Sequence, residues 1–322
     1  MGSKARIVFM GTPAFATASL RALYEAGHEI VGVVTVPDKP AGRGLQLQES
    51  DVKQFAREKG LLIMQPEKLK NPDFIKQISD LNADIFVVVA FRKLPVEVWR
   101  IPPKGTFNLH ASLLPRFRGA APIQHAVISG ETVTGVTTFL IDEQIDTGNI
   151  LVRKEEPIYP SDTAGTLHDR LMVLGASTVV ETTDLLMSGK AEMKSQDALL
   201  REGEELPEAP KIHRTFCRLD PNEPAVKLER KILGLNPFPG AWLVLDDGTQ
   251  EKKEIKVFSA EVLQEDNGSI GTIVTDGKGY FGFQTTKYTL LIKELQSPGK
   301  KKLGVKEWLT GVRSGFLDWR VL

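Results

Sequence analysis

Along the first half of the chain, short apolar blocks alternate with segments of helix-forming composition, and glycine, proline or aspartate punctuates most of the joints. Arg6 to Met10 is β-rich and stops at Gly11-Thr12-Pro13, after which Ala14 to Ala26 has helical composition up to Gly27. Thr12 is the expected N-cap and Pro13 the first helical residue, a favoured pair of start signals. Further strands are expected at Ile30–Val36, Leu61–Met64 and Asp84–Ala90, with helices at Asp51–Glu58 and Pro72–Leu81. The run Ile-Phe-Val-Val-Val from Ile85 is apolar on both faces, as a central strand buried on both sides requires. Strands at Thr106–Leu109, Gly135–Asp142 and Asn149–Ile158 follow, with a helix at Ala121–Ser129. Ser161–Asp162 would cap a long helix on which Leu167, Leu171, Leu174, Val179 and Leu186 keep helical spacing. Strand and helix in alternation predict an α/β, doubly wound, mostly parallel sheet.

After Gly189 the pattern changes. Residues 190–210 are rich in glutamate and proline, poor in apolar residues, and are expected to be a linker between domains 1–189 and 211–322. The second domain offers one helix at Ala225–Leu233 and a Pro237-Phe-Pro-Gly240 corner. Short alternating runs follow at Ala241–Leu245, Ile255–Ala260, Gly271–Thr275, Gly279–Gln284 and Tyr288–Leu295. That spacing predicts a small β-barrel or sandwich.

Composition removes several function classes. Lysine plus arginine equals aspartate plus glutamate at 41 each, so contact with an anionic polymer must rest on local patches. Residues 209–322 carry 18 basic against 14 acidic side chains, and their cluster Lys300-Lys301-Lys302 is either a contact for a nucleic-acid backbone or a solvated loop. A single cysteine, Cys217, excludes a disulfide framework, and five histidines without paired spacing argue against a metal site. No apolar run approaches the ~18 residues of a membrane span, and no signal-peptide core precedes Arg6, so a soluble, cytoplasmic, membrane-free protein is expected. Nothing in the pattern signals a stable multimer, and a monomer is the expectation.

The candidate chemistry lies in Gly105–Gln124 and Ile141–Gly148. A strand's period of two puts Asn108 and His110 on one face, with Phe107 and Leu109 on the other. Both polar groups then stand where a strand gives out into a Pro- and Gly-rich loop, the end of an open α/β sheet at which ligands bind. Asp146, in a turn, can return to the same place. An amide, an imidazole and a carboxylate suit acyl transfer by direct attack of an external amine: the amide stabilises an oxyanion, and the other two manage protons. No serine or cysteine is paired with a base to suggest an acyl-enzyme. Two further stretches are open to more than one reading. The turn Gly11-Thr12-Pro13 lacks the Gly-x-Gly-x-x-Gly of a dinucleotide site and either packs or lines an acceptor pocket. The loop from Pro37 to Gln48, with Lys39 and Arg43, is longer than most strand-to-helix connections and is either a solvated insertion or a phosphate contact.

Asn108-x-His110, Ser112-Leu-Leu-Pro115 and Ile145-Asp146-Thr147-Gly148 together resemble the signature of the folate-dependent formyltransferases. Gly11-Thr-Pro13, Pro37–Gly44, Arg116–Gln124 and Asn236–Trp242 resemble segments of the members that act on the methionine carried by initiator tRNA. The resemblance implies a Rossmann-like catalytic domain joined to an OB-like β-barrel, with 10-formyltetrahydrofolate as formyl donor and initiator methionyl-tRNA as acceptor. It implies Asn108, His110 and Asp146 as the catalytic set and no metal. Folate would meet Phe91, Arg92, Lys93, Ser112, Leu113, Leu114, Pro115, Ile141 and Asp142; the acceptor would meet Gly11, Thr12 and Pro13. The tRNA would meet Lys39, Arg43, Lys300, Lys301 and Lys302. The chain departs from the family pattern at Ala90–Pro95, where a glycine is missing, and at Asp142-Glu143-Gln144, where Gln144 replaces glycine. Competing readings are a formyltetrahydrofolate hydrolase, a sugar-nucleotide formyltransferase, and a non-catalytic RNA-binding protein.

Overall fold

The computed structural model describes residues 4–41, 46–200, 203, 205–248, 252–312 and 319–322. The chain divides into two compact units, one of residues 1–122, 133–157 and 168–208, the other of residues 123–132, 158–167 and 209–322.

The first unit is built on a seven-stranded sheet. Its strands are β1 (Arg6–Gly11), β2 (Glu29–Val34), β5 (Ile63–Met64), β6 (Ile85–Val89), β7 (Thr106–His110), β9 (Val133–Leu140) and β10 (Ile150–Pro157), in the order β10-β9-β7-β6-β1-β2-β5. The five strands from β5 to β7 run parallel, and β9 and β10 complete one edge antiparallel. The order reverses at β1, whose neighbours are β2 on one side and β6 on the other, so the switch point lies at the carboxyl ends of β1 and β6. All five residues of β6 are buried, as its unbroken apolar run requires.

Helices α1 (Ala14–Glu25), α2 (Asp51–Glu58), α3 (Pro72–Asp80), α4 (Val96–Trp99), α5 (Pro122–Ser129) and α6 (Ala164–Met187) connect the strands. One core packs Val8, Met10, Phe86 and Val88 of the sheet against Phe74 and Ile78 of α3 and Val98 of α4. The other face of β7 meets α6, where Gly175 leaves room for Leu109: a Cβ there would lie 2.7 Å from its Cδ2. Asn71 and Ser50 cap α3 and α2 with side-chain oxygens. At α1 the expectation fails by one residue. Pro13 is the cap, because its carbonyl already accepts the amide of Thr17, and Thr12 stands outside the helix. The long Pro37–Gln48 connection contains a hairpin, β3 (Lys39–Ala41) against β4 (Gln46–Gln48). Its base is tied down by Asp38, which accepts from Lys53 Nζ at 2.5 Å and Gln65 Nε2 at 2.8 Å. Arg43 lies outside the described residues.

Residues 190–200 do not run free as their polar composition suggests. Ile150 and Lys194 exchange both backbone hydrogen bonds, and Gln196 is buried. A short strand, β11 (Glu208–Ala209), follows this region in sequence, and another, β8 (Arg118–Gly119), lies between β7 and α5.

The second unit carries α7 (Ala225–Leu235), β12 (Ala241–Asp246), β13 (Lys253–Leu263), β14 (Ile273–Thr275), β15 (Phe281–Gln284), β16 (Thr289–Gln296), β17 (Leu303–Gly304), α8 (Val305–Thr310) and β18 (Arg320–Val321). The sheet is antiparallel in the order β14-β15-β16-β13-β12-β18. It curls until its ends meet: Thr272 bridges Arg320, and Val321 donates to the carbonyl of Gly271 at 2.9 Å. Only glycine serves at position 271, where φ is +82° and a Cβ would sit 2.5 Å from the Val321 carbonyl oxygen. Inside, Phe281 packs edge-on against Trp308 with centroids 4.9 Å apart, and Leu228, Ile232 and Leu235 of α7 join the same core. The barrel alternative is the one realised.

Candidate active site

Strand β7 delivers two side chains to the carboxyl edge of the sheet, beside the switch point. Asn108 pairs in register with Val88 of β6 and His110 is the last residue of the strand. Asn108 is half-buried, and its side-chain amide makes no hydrogen bond among the described residues, which leaves its donors available. His110 is buried. Its Nε2 lies 2.8 Å from the carbonyl oxygen of Phe117. A carbonyl only accepts, so Nε2 carries a proton and the tautomer is set. Nδ1 is turned to Asp146, 3.7 Å from Oδ2.

Asp146 arrives from the turn between β9 and β10. Its Oδ2 accepts from the amide of Gly119 at 3.0 Å, and its φ of +58° is a conformation that aspartate tolerates better than most residues. The turn is wound around Asp142, whose Oδ1 accepts from the Gln144 amide at 3.0 Å and from Thr147 Oγ1 at 2.8 Å. Gln144 is not left-handed; the left-handed residue of the turn is Asp146. Gly148 is obligatory: a Cβ would fall 1.7 Å from the Leu140 carbonyl oxygen, where the turn closes through the Leu140 amide on the Asn149 carbonyl at 2.9 Å.

The loop after β7 is fixed from within. Ser112 Oγ donates to the Arg116 carbonyl at 2.7 Å, Thr137 Oγ1 donates to the Ser112 carbonyl at 2.7 Å, and the Leu114 amide donates to Thr137 Oγ1 at 3.1 Å. Ser112, Leu114 and Pro115 are buried and hold the loop's shape, whereas Leu113 is half-exposed and packs over Gly135 of β9. At the exit of β6 the chain turns at Ala90 with φ +46°, without the glycine that the family uses there. Arg92 stabilises that exit by donating to the carbonyls of Pro66 (2.9 Å) and Glu67 (3.0 Å), with its guanidinium 5.2 Å from the Phe91 ring centroid. Burial lowers its pKa from the ordinary arginine value. Lys93 is exposed; Ile141 and Asp142 are half-buried.

Gly11 is packed without space for a side chain, 2.6 Å from Ala16 Cβ and 3.0 Å from the Val89 carbonyl oxygen as measured from a Cβ built on it. Thr12 is half-exposed and Pro13 exposed. Lys39 is exposed on its hairpin. In the second unit Lys301 pairs with Glu307 (3.3 Å) and Lys302 with Glu294 (2.9 Å), so intramolecular partners already hold two cations of the Lys300–Lys302 cluster. Sequence reasoning missed Gln196 altogether. Its Nε2 donates to the Asp146 and Gly148 carbonyls, and its Oε1 accepts from Arg118. Among the described residues no group of three or more histidine, cysteine or acidic side chains is placed to hold a metal ion, and no helix is long and apolar enough to cross a membrane.

The "Formyl transferase" family model matches residues 5–183, and the "Formyl transferase, C-terminal domain" model matches residues 211–313. The chain belongs to the formyl transferase family. Full-length relatives agree. The methionyl-tRNA formyltransferase of Parabacteroides distasonis is 47% identical over 312 residues, covering 96% of each chain. That of Bacteroides thetaiotaomicron is 46% identical over 309 residues, again covering 96% of each. Solved structures with the same fold include HypX from Aquifex aeolicus in complex with tetrahydrofolic acid (TM-score 0.62, 20% identity, 98% of this chain and 48% of that one). An N-formyltransferase from Helicobacter canadensis aligns over 93% of this chain and all of its own, with TM-score 0.62 and 18% identity. In this formyl transferase the Asn108-x-His110 strand end faces the Asp146-Thr147-Gly148 turn, with His110 Nδ1 3.7 Å from Asp146 Oδ2.

Proposed function

We propose that the chain transfers the formyl group of 10-formyltetrahydrofolate to the α-amine of methionine esterified to initiator tRNA, in the cytoplasm, by direct attack of the amine. The observation that carries the chemistry is the meeting of Asn108, His110 and Asp146 at the end of β7, with the amide uncommitted and the other two facing each other. The acceptor follows from the full-length likeness to methionyl-tRNA formyltransferases, second unit included.

The amine nitrogen forms a bond to the formyl carbon while the bond from that carbon to N10 of the folate breaks. Asn108 Nδ2 donates to the formyl oxygen as it gains negative charge, an interaction that contributes about 3 kcal/mol for a preorganised donor. The proton lost by the amine goes to the His110–Asp146 pair and passes from it to N10 as the C–N10 bond breaks, so the folate leaves with N10–H. The pair is built to accept one. With Nε2–H committed to the Phe117 carbonyl, a neutral imidazole turns the Nδ1 lone pair toward the Asp146 carboxylate, and one proton between them converts repulsion into a charge-assisted contact. Leu113, Ile141, Asp142 and the Phe91–Lys93 exit border the folate side, with Ser112, Leu114 and Pro115 supporting the loop. Thr12 and Pro13 border the acceptor side, over the packed Gly11. Lys39 and Arg43 meet the acceptor end of the tRNA, and Lys300–Lys302 approach its backbone.

His110→Ala and Asn108→Ala separate this reading from that of a non-catalytic RNA-binding protein. Each is expected to lower kcat by about a hundredfold or more, with the Kd for charged tRNA little changed. Wild-type turnover in either variant would refute the assignment.

A further inference from the structure

We infer that Gln196 is a positioning residue for the transfer, an inference that rests on the reading of His110 and Asp146 given above. Its side chain is 2% exposed, and its polar atoms serve one junction. Nε2 donates to the carbonyls of Asp146 and Gly148, each at 2.9 Å. Oε1 accepts from Arg118 through Nη2 at 2.7 Å and Nε at 3.1 Å.

Of the two segments joined in this way, one carries Asp146 and the other touches both members of the proton-handling pair. Arg118 lies between Phe117, whose carbonyl fixes Nε2 of His110, and Gly119, whose amide holds Oδ2 of Asp146. Phe117 and Asp146 both have left-handed backbone, at φ +59° and +58°. Non-glycine residues stay there only while their surroundings over-determine them. Gln196 supplies that constraint to both at once, and its own segment is pinned by the two Ile150–Lys194 backbone bonds of 2.8 and 2.9 Å. A carboxamide is the group the junction needs: two N–H donors on one atom for two carbonyls, and a coplanar acceptor for the guanidinium. Glutamate has the same shape, yet it would set an oxygen against two carbonyl oxygens.

The test uses the full chain with Gln196→Glu and Gln196→Ala. We expect kcat to fall about a hundredfold in both, the loss that follows a displacement of about 1 Å at a reacting centre. KM for 10-formyltetrahydrofolate should stay within about threefold, since ground-state binding is untouched. A second readout needs no turnover: the Nε2–H proton of His110, observed by NMR of the histidine side chains in substrate-free protein. It should move or broaden in both variants at temperatures where circular dichroism shows them folded. Wild-type kcat in both variants with an unmoved His110 signal would overturn the inference, as would an activity loss that tracks the unfolded fraction alone. If the wild-type chain formylates nothing, the functional reading fails by itself, and an unmoved His110 signal would then overturn the clamp independently.

Discussion

Two buried histidines of the first unit each face an aspartate carboxylate, and only one belongs to the site. His110 has both ring nitrogens assigned, one to a carbonyl and one to a carboxylate. His28 is buried with Nδ1 accepting from the Ala5 amide at 3.3 Å, while its Nε2 makes no hydrogen bond and stands 3.6 Å from Asp184. Desolvation lowers its pKa below the ordinary histidine value, and the Asp184 carboxylate offsets this in part. The sign follows from linkage. The unfolded chain protonates His28 first as the pH falls, so the stability from burying it neutral is complete above the ordinary histidine value. That stability is lost between this value and the lower folded one. Urea unfolding of His28→Gln should therefore depend less steeply on pH over that interval than the wild type, and equal slopes would contradict the account. Asn108 and His110 could be read from strand periodicity, because a period of two admits only two faces and Phe107 and Leu109 claim one of them. Gln196 could not: a lone glutamine in a polar, glutamate-rich stretch carries no periodic signal, and its value arises from contacts with Arg118, Asp146 and Gly148, all far back in the chain.

Among the elements, the turn from Asp142 to Gly148 is the most constrained. Asp142 supplies the acceptor that winds it, Asp146 takes the left-handed step, and Gly148 permits the approach to Leu140. Gly148→Ala should displace Asp146 from His110 and lower kcat at least tenfold, with a fall in melting temperature of about 2–4 °C per kcal/mol lost. A fully active variant would show that the turn has room that the geometry denies. Elsewhere, element type was legible and boundaries less so. The strand–turn–helix alternation predicted the doubly wound sheet, since long apolar blocks and helical spacing are set locally. The start of α1 was displaced because a proline carbonyl can accept the first helical bond as readily as the residue before it. The β3–β4 hairpin, α4 and α8 were missed because three- to six-residue elements have too few positions to establish a period. The linker expected from composition is in part a packed strap, because Lys194 and Gln196 act through backbone pairing and one amide rather than through apolar area.

At the scale of the whole molecule, two units with separate cores divide the work that the proposed reaction demands. The α/β unit carries Asn108, His110 and Asp146 at its sheet edge, and the barrel unit carries the basic surplus of its sequence. The central claim is tested most directly by incubating the purified chain with 10-formyltetrahydrofolate and charged initiator Met-tRNA, beside uncharged tRNA and the folate alone, and measuring acid-stable formyl-methionine and folate consumption. The account predicts formyl-methionine with the charged tRNA alone and folate turnover that depends on it. Folate consumed at the same rate without tRNA, or no turnover at all, would contradict it.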